Sequence, residues 1–148
     1  MKNGTTIGIA IVVVILVVGG MYLFAPQAKA PTNSNPDTTI PTGNENVSVS
    51  SPAPKATITS PVTIVGEAKG YYFEASFPID ILDQNGNVIG QGHAEAQSDW
   101  MTPDWVPFKA VVSFTSPGAG KTGTIRLRND NPSGEPANEK HFDLPITF

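Results

Sequence analysis

The side chains able to do chemistry are few and scattered along the chain. His93 and His141 are its two histidines. A hydrolytic triad would need a nucleophile and a carboxylate converging on one of them. The sequence contains no G-x-S-x-G turn to present a serine. By alternation along the flanking residues both imidazoles point outward, and they read as solvated. "SPGAGKTG" (residues 116–123) carries the letters of a phosphate-binding loop. The full pattern, G-x-x-x-x-G-K-[ST], opens on a glycine and runs into a helix whose N-terminus holds the phosphate. Thr115 occupies the position of that first glycine. The residues that follow, "TGTIRLRND", alternate like a strand. The stretch therefore reads as a Pro/Gly turn between strands.

"RNDNPSGEPANE" (residues 128–139) gathers Asp130, Glu135 and Glu139 with Asn129, Asn131 and Asn138. Hard oxygen ligands of this kind suit Ca²⁺. The EF-hand spacing fails, because Pro132 falls where an oxygen ligand belongs. The other reading is a structured loop whose Asp and Asn side chains cap backbone N–H groups around a Pro-Ser-Gly turn. No metal or cofactor is expected.

Aromatic residues give the best hint of binding. Tyr71 and Tyr72 precede a strand, and Trp100 and Trp105 flank "MTPD". Rings carried on loops either build a platform for a sugar or protein partner, or plug the open end of a sheet sandwich. These four are the candidate ligand-binding residues. Arg126 and Arg128 share the outward face of one strand, where an acidic residue on a neighbouring strand would pair with them.

Composition narrows the field. The net charge of −4 offers no basic field for nucleic acid. The chain has no cysteine. Disulfides, thiolate metal sites, a cysteine nucleophile and a lipobox are thereby excluded, and an extracytoplasmic domain must be held by its core alone.

Three segments organise these residues. In residues 1–24, "IGIAIVVVILVVGGMYLF" runs without a charge from 7 to 24. At about 1.5 Å per residue it reaches roughly 27 Å, close to the ~30 Å hydrocarbon layer. A transmembrane helix is expected here. "AKA" at 28–30 has the form of a signal-cleavage site. The apolar run is longer than a signal core and Pro31 follows, so the segment reads as an uncleaved anchor with its N-terminus inside. Residues 25–46 are Pro-, Thr- and Asn-rich and read as a disordered linker.

From residue 47 to 148 alternation dominates. "VSVSS", "VTIVGEA", "FEASFPIDIL", "VIGQGHAEA", "VPFKAVVSF", "TIRLR" and "HFDLPITF" each repeat with period two. The third places Phe73, Ala75, Phe77, Ile79 and Ile81 inside, with Glu74, Ser76, Pro78 and Asp80 outside. Pro78 lacks an N–H, so that strand should be an edge or carry a bulge. "DQNGN" (83–87) is a hairpin turn, with Asn85-Gly86 suited to positive φ. The expected fold is all-β: an immunoglobulin-like β-sandwich of about seven antiparallel strands.

"ITSPVTIVGEAKGYYFEASFPIDILDQNGNVIGQG", "SDWMTPDWVPFKAVVSF", "RNDNPSGEPANE" and "LPITF" occur in that order. Together they closely resemble the Gmad2-type immunoglobulin-like domain of bacterial spore germination, across nearly all of residues 53–148. The resemblance implies a sandwich in a bacterial envelope protein with no enzymatic role. Combined with the anchor, it implies a single-pass protein of the cytoplasmic membrane that displays the domain outside. Its partner would be an envelope protein met through loops or a sheet edge. The alternative is a carbohydrate-binding accessory module that recognises cell-wall glycan through the loop aromatics.

Overall fold

A computed structural model of the protein describes residues 42–148. The expected membrane anchor and nearly all of the linker lie outside the described residues. Among those described, no helix is long and apolar enough to cross a membrane.

Seven strands form: β1 (Val47–Ser51), β2 (Val62–Ala68), β3 (Ser76–Asp83), β4 (Val88–Ala96), β5 (Val106–Val112), β6 (Thr122–Arg128) and β7 (His141–Thr147). All six pairings are antiparallel, in the order β1-β2-β5-β4-β3-β6-β7. The alternation in the sequence is the cause. In β5, Val106, Phe108, Ala110 and Val112 are buried, while Pro107, Lys109 and Val111 between them are exposed. Side chains of a strand leave opposite faces in turn, so one face of each such strand must be covered. The "DQNGN" hairpin is as expected in position. Only Gly86 takes a positive φ, 82°, and Asp83 Oδ1 accepts the Asn85 and Asn87 N–H groups at 2.8 and 2.9 Å.

Hydrogen bonding runs continuously through all seven strands, and the sheet folds back over itself to enclose one core. Phe77 on β3 and Phe108 on β5 meet edge to face at 5.1 Å, although β4 separates their strands in the sheet. β4 is the fold line. It pairs along β3 from Ser76 to Leu82, but with β5 only at Glu95–Lys109 and Ala96–Phe108, plus a bridge from Gly90 to Phe114. The side chains of β4 that face β5 are small: Gly90, Gly92, Ala94 and Ala96. A Cβ on Gly90 would stand 2.5 Å from Phe114 Cβ. The layers converge here too closely for anything larger.

Both outer edges of the sheet are covered by short extended segments. Residues 42–44 lie antiparallel on β1, with Val49 N–H donating to Thr42 O (2.7 Å) and Asn44 N–H to Val47 O (2.8 Å). Residues 55–58 lie along β7. Lys55 N–H donates to Pro145 O, Thr147 N–H to Ala56 O, and Ile58 N–H to Thr147 O, at 2.7 to 3.0 Å.

β3 is an interior strand, flanked by β4 and β6, so of the two expectations for it the edge position is overturned and the irregular register is found. Pro78 is tolerated because β6 pairs only from Ile79 onward, and the register shift against β4 falls at Ile81/Leu82. Asp80 points away from the core as expected, yet it is only 6% exposed. Long side chains of the flanking strands overlie it: Gln91 Nε2 donates to Oδ1 at 2.8 Å, and Arg128 Nε stands 2.9 Å from Oδ2 without hydrogen-bond alignment. Phe73, expected inside, is exposed, because the strand begins only at Ser76.

Candidate functional site: one rim of loops

The strand register gathers the long loops at one end. Val47 stands opposite Ala68, Ala68 opposite Val106, Ser76 opposite Glu95, and Arg128 opposite His141. Loops 69–75, 97–105 and 129–140 therefore leave from the same rim. The hairpin at 84–87 and the segments 52–61 and 113–121 lie at the other. Backbone bonds tie the rim together. Asp130 N–H donates to Tyr71 O and Ala96 N–H to Ala75 O, both at 2.8 Å.

Loop 69–75 contains a tight reversal. Phe73 and Ser76 exchange both backbone hydrogen bonds, at 3.0 and 3.1 Å, around Glu74 (φ 49°) and Ala75 (φ 65°). Positive φ at both central residues is the type I′ geometry, which favours Gly and Asn. The left-handed region costs a residue with a Cβ roughly 1–2 kcal/mol. This strained turn swings Phe73 out of the alternation and into solvent.

The four candidate aromatics divide. Tyr71 is fully buried against Phe77, with ring centroids 5.5 Å apart. Its hydroxyl has no aligned hydrogen-bond partner, although the Asn44 side chain lies beside it, and burial raises the phenol's pKa. Tyr72 is half-buried, 5.2 Å from Phe77, and donates to Val106 O at 2.7 Å. Burial pushes its phenol far above the usual range. Trp100 is half-buried in loop 97–105. Trp105 is exposed, with Lys69 Nζ 5.0 Å from its ring centroid, a cation–π distance. Tyr71 and Tyr72 thus close the end of the core, and Trp105 is the member of the set that faces solvent.

Two further apolar side chains join it. Phe73 is 43% exposed, Met101 76% and Trp105 39%. All three sit on two loops of this rim. Alternation assigned Phe73 to the interior, and no Gly or Asn marked the reversal. Met101 stood in plain view between the two tryptophans, in a polar turn sequence.

The remaining candidates stay apart. His93 and His141 are exposed, on β4 and β7. His93 lines a cleft of about 500 Å³ with Glu95, Gln97, Lys109, Ala110 and Val111, none of them a hydroxyl or thiol nucleophile. In the 116–123 stretch Gly118 and Gly120 take positive φ, and the chain enters β6 at Thr122, not a helix. In loop 129–140 the polar side chains serve the loop itself. Asn129 Oδ1 accepts Lys140 N–H at 2.6 Å, and Asn131 Nδ2 donates to Glu135 O at 2.8 Å. Among the described residues no group of three acidic or histidine side chains is placed to hold a metal ion. Arg126 and Asp143 pair across β6 and β7 through two 2.7 Å bonds.

A seven-stranded antiparallel sheet folded around one core, with its long loops at one rim, defines an immunoglobulin-like module. Residues 46–135 match the immunoglobulin-like domain of bacterial spore germination, Gmad2, and the chain belongs to that family. Comparison with curated proteins and with solved structures gave no match.

Proposed function

We infer that this is a non-catalytic bacterial surface protein, held in the cytoplasmic membrane by residues 1–24, with its germination-type module outside. The module grips an envelope protein through the rim of loops 69–75, 97–105 and 129–140. One observation carries this reading: Phe73, Met101 and Trp105, all exposed, share that rim. Aromatic residues and methionine are enriched in protein interfaces, and few energetic anchors dominate binding. The strained turn under Phe73 supports it further, since backbone strain collects at functional sites. A membrane tether would raise the local concentration of the module near its partner.

Cell-wall glycan is the second reading, supported by the exposure of Trp105. Lys69 already lies over that ring, which leaves less of it for a sugar. Photo-crosslinking in cells separates the two. A photoreactive amino acid at Met101 should give a protein adduct that is absent when the same group replaces Val88 at the opposite rim. Adducts to peptidoglycan would favour the glycan reading, and equal labelling from both positions would overturn the rim as a binding surface. Accessibility of Met101 to an impermeant reagent in intact cells tests the topology.

A further inference from the structure

We propose that the rim of loops 69–75, 97–105 and 129–140 receives a basic segment of its protein partner, whose Lys and Arg side chains lay their stems on Phe73, Met101 and Trp105 and meet the carboxylates beside them with their charges. The inference rests on the rim being the binding surface, and it names the chemistry that surface accepts. The exposed apolar side chains mark the place, and charge selects the occupant. The three loops carry Glu74, Asp99, Asp104, Asp130, Glu135 and Glu139 against Lys69 and Lys140, a net charge of −4. The remainder of residues 42–148 has six carboxylates and five Lys or Arg side chains, a net charge of −1.

The rim keeps this charge for a partner. The ion pairs among the described residues are Arg126–Asp143 and Arg128–Asp80, both between strands, so none of the six rim carboxylates is neutralised in that way. Asp99 and Asp104 also brace their own loop, where Asp99 Oδ1 accepts Met101 N–H at 3.1 Å and Asp104 Oδ2 accepts the Thr102 hydroxyl at 3.2 Å. Glu74, Glu135 and Glu139 are exposed, and their charges stand in solvent.

Charge and apolar surface are interleaved. Glu74 follows Phe73, Asp99 lies two residues before Met101, and Asp104 precedes Trp105. Lys and Arg use both kinds of contact at once, because the alkyl stem covers apolar surface while the charged head reaches past it. Lys69 holds its Nζ 5.0 Å from the Trp105 ring centroid, so this surface already takes one cation, against an aromatic face. An anionic wall polymer or an anionic lipid surface would meet like charge here, and like-charge juxtaposition is how an interface rejects wrong partners. A neutral glycan would leave the carboxylates unanswered.

Photo-crosslinking of the full chain in cells, from the photoreactive group at Met101, tests the charge separately from the rim. Glu74→Gln, Glu135→Gln and Glu139→Gln are combined in one variant; the three side chains are exposed, and glutamine keeps their shape without the charge. The protein adduct should fall roughly tenfold in that variant. Glu67→Gln with Glu95→Gln removes exposed carboxylates from β2 and β4 instead and should leave the adduct unchanged. Mass spectrometry of the wild-type adduct should place the link in a partner segment of net positive charge. An undiminished adduct in the triple variant, an equal loss in the β2 and β4 control, or a link within a neutral or acidic segment would overturn the basic partner and leave the rim standing as a binding surface. A wild-type chain that gives no protein adduct from Met101, or labels only peptidoglycan or lipid, would overturn both.

Discussion

Gly92 and Val112 meet across the fold line between β4 and β5, where a Cβ on the glycine would stand 2.8 Å from Val112 Cγ2. Val112 is buried and cannot swing away. Gly92→Val should therefore destabilise the module by about 1–3 kcal/mol, the usual range for overpacking. Gly92→Ala should cost less, and adding Val112→Ala should recover part of that loss. Urea unfolding followed by tryptophan fluorescence gives these differences directly. A neutral Gly92→Val would mean that the layers do not converge at β4.

Phe77 and Phe108 lock the two halves of the folded sheet together at 5.1 Å. Phe108 fits because its partner across the ladder is Gly66, where a Cβ would collide with the ring. Phe108→Ala should cost about 3–5 kcal/mol, a large share of a typical 5–15 kcal/mol total. Trp105→Ala, three residues away on the exposed rim, should stay within about 0.5 kcal/mol. Parallel denaturation curves of the two variants test whether core and rim separate as sharply as the burial implies.

Much of this was legible in the sequence. Alternation set the bounds of β1, β2 and β4, because each has one face that must leave water, and it placed Arg126 and Arg128 where carboxylates of neighbouring strands reach them. It also read the Gly-Lys-Thr stretch as a turn. What escaped it depends on neighbours remote in sequence. β4 reads as a weak strand, because its Gly and Ala residues signal close approach only once the facing layer is known. Asp80 reads as outward, and its burial escapes the sequence because the side chains that cover it come from β4 and β6. Phe73 reads as core, because Glu74 and Ala75 carry no local mark of a left-handed turn. Of the four candidate aromatics, the sequence could not separate the core-sealing tyrosines from Trp105, since the difference is a matter of depth.

Two arginines on the same face of β6 should behave differently. Arg126 meets Asp143 with both side chains more than a third exposed, and such pairs contribute roughly 0–1 kcal/mol. Arg128 lies against Asp80, whose side chain is 8% exposed. Arg128→Met leaves that carboxylate buried with Gln91 as its remaining hydrogen-bond partner, at a cost of about 1–3 kcal/mol. The loss after Arg128→Met should exceed that after Arg126→Met, and Arg128→Met with Asp80→Leu should recover stability relative to Arg128→Met alone. Equal losses would mean that Asp80 is hydrated in solution.

Acid should weaken the fold through carboxylates that folding holds low. Arg126 lowers the pKa of Asp143 through its hydrogen bonds, and Asn87 lowers that of Asp83 in the hairpin. A depressed folded value means that the unfolded chain binds the proton more tightly. The stability they contribute is complete above the unfolded carboxylate value near 4, and it drains as pH falls through the folded values. Asp143→Asn should flatten the acid limb of a plot of melting temperature against pH and lower the plateau slightly. An unchanged acid limb in Asp143→Asn would remove this pair from the account.

Alkali should act through the two tyrosines that seal the rim end of the core. Burial raises both phenols, so the folded chain holds these protons more tightly than the unfolded chain. Their contribution is whole below the unfolded value near 10 and is lost as pH rises beyond it. Absorbance of tyrosinate near 295 nm should therefore show Tyr71 and Tyr72 silent until the module unfolds, then ionising together in a cooperative step. Tyr72→Phe removes one ionisation from that step and also the bond to Val106 O, a loss of about 1 kcal/mol at neutral pH. A smooth titration of both phenols near 10, without loss of the β-sheet dichroism, would show that the rim end of the core is open to water and that neither ring is a plug.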